Sequence, residues 1–177
     1  PLVIISVFTF PFLLKGITYS YKYYLFILNL AGIYIILNVG LDLLSGYTGL
    51  ISLGHAGLLA LGAYTSAILV DNIGIPFIAS LFISPFIVAI FSFFIGFPAL
   101  KITGMYLGLT TMGFGFIVKR LIISFREWTH GAGGLEVSYP IFFGFVFKSD
   151  WDNYFLISTF TILSVIAARR IGNSKIG

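Results

Sequence analysis

The chain contains no cysteine, and only 9% of its 177 residues are charged. Without cysteine there is no disulfide framework, no thiolate chemistry and no cysteine-based metal site. Soluble domains have about 25% charged residues, so this chain has too few charges to cover a water-exposed surface. The scarcity of charge therefore predicts an integral membrane protein.

Sequence motifs of common enzyme classes are also missing. There is no Gly-x-x-x-x-Gly-Lys-Ser/Thr phosphate loop, no His-Glu-x-x-His and no Gly-x-Ser-x-Gly. His55 alone cannot build a metal site, and His130 lies far away in a polar loop. The net charge of +4 is small, and the basic residues lie at the ends of apolar segments, which suits membrane flanks better than a nucleic-acid surface. We predict a chain that is not an enzyme, has no metal site and does not bind nucleic acid.

What the chain does contain is long apolar runs, since 59% of its residues are hydrophobic. A transmembrane helix needs about 20 mostly apolar residues, and alternating segments typical of membrane strands are missing. We therefore predict an all-α, polytopic transmembrane helical bundle without a sheet. Its six candidate membrane segments are 1–14, 23–39, 50–70, 77–97, 104–125 and 154–168.

The third and fifth segments are rich in glycine and hydroxyl groups. Lipid does not favour such residues, whereas glycine lets helices approach closely and polar side chains face protein or a cavity. We predict that these two segments pack against each other, line a pathway, or both. The candidate packing glycines are Gly49, Gly54, Gly57, Gly62, Gly104, Gly108, Gly113 and Gly115.

The sequence allows more than one role for each of two titratable residues. His55 fits a proton carrier or a ligand group, because its charge can change near neutral pH, and it equally fits a neutral hydrogen-bonding residue between helices. Asp42 fits a functional acid within the membrane, or a carboxylate at the membrane edge that accepts backbone N–H groups of the adjacent Ser45–Gly46 turn.

Three blocks of sequence resemble permease subunits of branched-chain amino acid ABC transporters of the LivM type. The first is Leu41-Asp-Leu-Leu-Ser-Gly-Tyr-Thr-Gly-Leu-Ile-Ser-Leu-Gly-His-Ala-Gly-Leu-Leu-Ala-Leu-Gly-Ala-Tyr64. The second is Pro98-Ala-Leu-Lys-Ile-Thr-Gly-Met-Tyr-Leu-Gly-Leu-Thr-Thr-Met-Gly-Phe-Gly115, and the third is Trp128-Thr-His-Gly-Ala-Gly-Gly-Leu135. The chain departs from the pattern at Phe116, where the family usually has glutamate, and at Ala60 and His130, where glycine is common.

The resemblance implies a subunit of an ATP-driven importer in a prokaryotic plasma membrane. Its implied partners are a second related permease, two ATP-binding cassette ATPases, an extracytoplasmic substrate-binding protein and the lipid bilayer. ATP would be used by the ATPases, so no cofactor is expected on this chain. The segment 126–153 is expected on the binding-protein side. Residues carried over as candidate pathway positions are Ser52, Gly54, His55, Tyr64, Tyr106, Thr110 and Thr111.

The same resemblance leads us to expect residues 1–177 to form one transmembrane permease domain, cut at both ends and lacking its C-terminal half. Three alternative functions stay open at this point. A urea or short-chain amide permease shares these motifs, an ion-coupled secondary transporter would need no ATPase, and a structural membrane subunit would transport nothing.

Overall fold

The computed structural model describes residues 21–47, 49, 52–99, 102, 104–142 and 145–173. Its elements are six α-helices, a turn of π-helix, a turn of 3₁₀-helix and two short strands. The first predicted membrane segment, 1–14, lies outside the described residues. The helices are α1 (Tyr21–Asp42), α2 (His55–Asp71), α3 (Phe77–Ala99), α4 (Met105–Ser124), α5 (Arg126–Thr129) and α6 (Asp150–Gly172).

Four of the described helical segments are long and apolar enough to cross a membrane. They are Tyr21–Gly46, Phe77–Phe94, Tyr106–Ser124 and Asp150–Gly172, which confirms the all-α, polytopic fold class. Helix α2 is apolar but has only 17 residues, about 25 Å at 1.5 Å per residue. It begins at His55 and not at Leu50 as predicted, because the chain before it is not helical from Ser52 to Gly54.

The expectation of no sheet needs one correction. Ile141–Phe142 (β1) and Phe145–Val146 (β2) form an antiparallel ladder of two residues each. The ladder lies in the polar segment between α5 and α6, so it adds a hairpin to a loop and leaves the membrane segments helical.

The chain divides into two compact units, 1–47 with 147–177 and 48–146. In the first unit, α1 packs along α6, and both helices run in the same direction, with Tyr21 near Trp151 and Gly32 near Ile157. A Cβ on Gly32 would lie 2.6 Å from Ile157 Cγ2, so a larger residue at this position would force Ile157 or the helix to shift. Asn29 Nδ2 donates a hydrogen bond to the Asp150 carbonyl oxygen at 3.2 Å.

Helix α6 has both ends marked in its sequence. Ser149 Oγ accepts the Trp151 N–H and Asp152 Oδ2 accepts the Ser149 N–H, each at 3.3 Å, which is a capping box. Arg169 and Arg170 lie in the last turn, where positive charge is favourable beside the helix carbonyl groups.

In the second unit, α3 packs against α2 and reaches α4. Two serines join α2 to α3, with Ser66 Oγ and Ser80 Oγ 2.8 Å apart and Ser80 fully buried. Interhelical hydroxyl contacts of this kind satisfy polar groups that lipid cannot. Helix α3 continues through Pro85 without a break.

The polar segment after α4 folds over the ends of α2 and α4. Thr129 is buried, and its hydroxyl donates to the Phe125 carbonyl oxygen at 2.8 Å and accepts the Gly131 N–H at 3.2 Å. Further along, the Ser138 N–H donates to Asp71 Oδ1 at the end of α2, at 3.3 Å. These bonds hold the polar segment against the C-terminal ends of α2 and α4.

Candidate functional site between α2 and α4

The chain is irregular just ahead of α2. Gly49 has φ +67°, a conformation that glycine adopts without steric cost. Gly54 has φ −93° and ψ 0°, and its carbonyl oxygen accepts the Gly57 N–H at 2.9 Å. The helix therefore begins at His55, and the backbone N–H groups just before it need partners outside α2.

Helix α4 supplies such a partner. The Leu53 N–H donates to Thr111 Oγ1 at 2.9 Å, and Thr111 Oγ1 donates to the Gly108 carbonyl oxygen, also at 2.9 Å. The threonine hydroxyl is thus acceptor and donor at once. It ties the irregular backbone before α2 to the first half of α4.

Glycines bring the two helices together at this point. A Cβ on Gly54 would lie 2.9 Å from the Thr111 carbonyl carbon and closer still to its oxygen. A Cβ on Gly57 would lie 3.0 Å from Gly115 Cα, and one on Gly115 would lie 3.9 Å from Gly54 Cα. Because Gly54 meets Thr111 and the later Gly57 meets Gly115, α2 and α4 run in the same direction.

The other predicted packing glycines differ in what surrounds them. Gly62 faces α3 instead of α4, with its Cβ position 3.7 Å from Val88 Cγ2. Gly108 is buried. No described residue lies within 4 Å of the Cβ positions of Gly49, Gly104 and Gly113.

No contact between α2 and α4 is seen at those three glycines among the described residues, so their role in packing stays a prediction. Gly49 and Gly104 have φ values of +67° and +65°, so the backbone conformation accounts for glycine at both. Gly113 lies on the face of α4 turned away from Thr111 and Gly115, one helical turn from Thr110, and nothing in the structure explains it.

The seven candidate pathway residues divide into two groups. Buried Gly54 and half-buried Ser52, His55 and Thr111 lie together where α2 begins, and half-buried Tyr64 lies on α2 further along. In contrast, Tyr106 is 75% exposed and Thr110 is exposed, both on the outer face of α4. The Thr110 hydroxyl donates to the Tyr106 carbonyl oxygen of its own helix at 2.8 Å.

His55 stands at the first position of α2, and its Nδ1 atom is buried without a hydrogen-bond partner among the described residues. The expected bond from this imidazole to another helix is therefore not seen at Nδ1. A buried ring nitrogen without a partner costs free energy, so this atom is a point where a further polar group would be stabilising.

A groove of about 610 Å³ runs along the contact between α2 and α4. This groove extends from the start of α2 to the loop beyond α5, and of its described lining residues only Lys119 is charged. The lining residues are Leu53, Ala56, Gly57, Ala60, Tyr64, Met112, Gly115, Phe116, Val118, Lys119, Ile122, Ile123, Gly131 and Ala132.

Of these groove residues on α4, Gly115 was predicted from sequence as a packing glycine, whereas Met112, Lys119 and Ile122 were not predicted. The four residues recur at helical spacing along α4, and this spacing was the signal that could have identified the other three. Phe116 also lines the groove, so an apolar ring occupies that part of the wall.

The fold and the groove together define a polytopic membrane protein with a cavity between glycine-packed helices. Comparison with known sequences specifies the family further. Residues 23–177 match the family model described as branched-chain amino acid transport system, permease component. The chain belongs to this family.

Two curated relatives are both named high-affinity branched-chain amino acid transport system permease protein LivM. The protein of Escherichia coli K12 is 39% identical over 134 residues, which are 72% of this chain and 32% of that protein. The Salmonella typhimurium protein is 38% identical over 128 residues, 69% of this chain and 30% of that protein. The chain thus spans about a third of the length of these relatives. No solved structure matches it.

Proposed function

We propose that the chain is part of a membrane-spanning permease subunit of an ATP-driven importer, and that it forms walls of the path for branched-chain amino acids. The observation that carries the proposal is the family match across 23–177, which includes all the described helices except the first two residues of α1. A second permease subunit, two ATPases and an extracytoplasmic binding protein complete the importer in a prokaryotic plasma membrane. The ATPases use the ATP, and this chain has no catalytic role.

The chemistry of the groove supports this substrate class over urea. Its lining is almost entirely apolar, which suits an aliphatic side chain, because burying such a chain is worth about 0.8 kcal/mol per methylene group. Lys119 offers a positive charge to a carboxylate. Urea has neither an aliphatic chain nor a carboxylate, so it gains nothing from either feature.

Uptake in cells that carry the intact operon tests the proposal. We expect labelled leucine uptake to fall when the full-length gene is deleted and to return with the gene on a plasmid. Excess unlabelled isoleucine should compete, whereas excess urea should not. A strain with a mutated ATPase subunit is the matched control for dependence on ATP.

Three results would contradict the proposal. Competition by urea but not by isoleucine would favour the urea or amide permease. Loss of uptake with an uncoupler, while cellular ATP is maintained, would favour an ion-coupled transporter. Unchanged uptake after deletion would favour a structural subunit.

A further inference from the structure

Thr111 differs from the other candidate pathway residues because its hydroxyl joins two elements. It accepts the N–H of Leu53, which precedes α2, and donates to the carbonyl oxygen of Gly108 within α4. We propose that Thr111 is a positioning residue, which holds the non-helical backbone before α2 on α4 and so fixes Ser52 and His55 beside the pathway. This inference rests on the proposed transport function.

The bond matters because of where the Leu53 N–H lies. Residues 52–54 are not helical, so this N–H has no acceptor within α2. Irregular backbone inside a membrane protein persists only where protein or trapped water satisfies its polar groups. The Thr111 hydroxyl is the acceptor that α4 provides.

Close packing leaves little freedom around this bond. Gly54 lies against the Thr111 carbonyl group, and Gly57 lies against Gly115 one turn further on. The three contacts join the same stretch of α2 to the same stretch of α4. A movement of α4 during transport would therefore be passed to the backbone that carries Ser52 and His55.

Neighbouring Thr110 provides a matched contrast. Its hydroxyl also donates to a carbonyl oxygen in α4, that of Tyr106, but it faces outward and joins no second element among the described residues. Replacing either threonine by valine removes one hydroxyl and keeps a β-branched side chain of similar size. Only the change at Thr111 removes the bond to Leu53.

Thiol labelling measures the position of the backbone directly. In the assembled importer with a full-length, otherwise cysteine-free permease, S52C reports the exposure of the segment before α2. We expect T111V to raise the rate of its reaction with N-ethylmaleimide about fivefold, the change expected for losing one ordinary hydrogen bond. T111S keeps the hydroxyl and should restore the original rate, and T110V should leave the rate unchanged. Equal rates in T111V and T110V would overturn the proposal.

Transport kinetics, measured with Ser52 in place, supply a readout that a purely structural role would not move. We expect T111V to lower kcat several-fold with KM nearly unchanged at normal membrane levels, and T111S to recover kcat. A rise in KM alone would identify Thr111 as a substrate contact and contradict a positioning role.

Two further conditions keep the test decisive. If T111V does not reach the membrane, hydrogen exchange in the unmutated protein replaces it, and a Leu53 amide that exchanges as fast as that of Ser52 would refute the bond. If the assembled importer does not transport leucine at all, the proposed function fails, while the labelling rates still decide whether Thr111 holds the backbone.

Discussion

Replacement of Gly54 by alanine separates the steric contact from every other role of this residue. Gly54 has φ −93° and ψ 0°, which alanine adopts without strain, so the backbone conformation contributes little. The added Cβ, however, would lie 2.9 Å from the Thr111 carbonyl carbon and 3.3 Å from Thr111 Cβ. Because α4 presents rigid backbone at this point, the start of α2 must move away.

The size of the effect follows from two terms. Overpacking of a tightly packed contact costs about 1–3 kcal/mol. The displacement also weakens the Leu53–Thr111 hydrogen bond, whose net worth is about 1 kcal/mol. We therefore expect Gly54→Ala to lower the free energy of unfolding by about 2–4 kcal/mol.

Titration of the purified full-length protein with SDS in mixed micelles, followed by circular dichroism, measures this difference. Gly113→Ala is the matched control, because no described residue lies within 4 Å of its Cβ position. Alanine also favours a helix by up to about 1 kcal/mol over glycine, so the control should be neutral or slightly stabilising. Equal losses in Gly54→Ala and Gly113→Ala would refute the close contact between α2 and α4.

Three other experiments test separate parts of the structure. Gly32→Ala places a Cβ 2.6 Å from Ile157 Cγ2, so it should destabilise the contact of α1 with α6 by about 1–3 kcal/mol in the same titration. Gly96→Ala is the control and should not destabilise the protein, because no described residue lies within 4 Å of its Cβ position. A single cysteine at exposed Ser138 should react with an impermeant thiol reagent added outside intact cells, and labelling only after permeabilisation would place this loop in the cytoplasm. His55→Gln should keep measurable leucine uptake, and His55→Leu should transport less. Equal loss of uptake in both variants at normal membrane levels would favour proton transfer by His55, provided that uptake by the unmutated protein titrates near the usual pKa of histidine.

Much of the fold follows directly from the apolar runs. The predicted segment 77–97 corresponds to α3 (Phe77–Ala99), and 104–125 corresponds to α4 (Met105–Ser124). The segment 154–168 proved longer, because the capping box at Ser149 starts α6 ahead of its apolar run. Sequence composition fixes such helices well, since the membrane allows few alternatives.

The start of α2 and the partners of the glycines were harder to predict. The apolar run begins at Leu50, but the helix begins only at His55. Hydrophobicity alone does not show where within an apolar run the helix begins. Whether a glycine packs depends on the rotation of its helix about its own axis. Gly54 and Gly113 look equivalent in sequence, yet one lies against backbone and the other faces no described residue.

The same limit applies to the candidate site. The sequence motifs identified Ser52, Gly54, His55 and Thr111, which the structure places together at the start of α2. The motifs did not distinguish these residues from Tyr106 and Thr110, which lie on the outer face of α4. A motif records the spacing of residues along the chain and does not show which face of a helix contacts another helix. Lys119 was missed because a pair of basic residues near a helix end, here Lys119 and Arg120, usually marks the membrane surface.

The most direct test of the central claim is leucine transport in proteoliposomes that contain the full-length permease, its partner permease and the two ATPases. With binding protein and leucine outside and ATP inside, we predict accumulation of leucine, and none when a non-hydrolysable ATP analogue replaces ATP. Accumulation that is independent of ATP, or its complete absence in an assembled complex that hydrolyses ATP in response to the loaded binding protein, would contradict the assignment as a branched-chain amino acid importer.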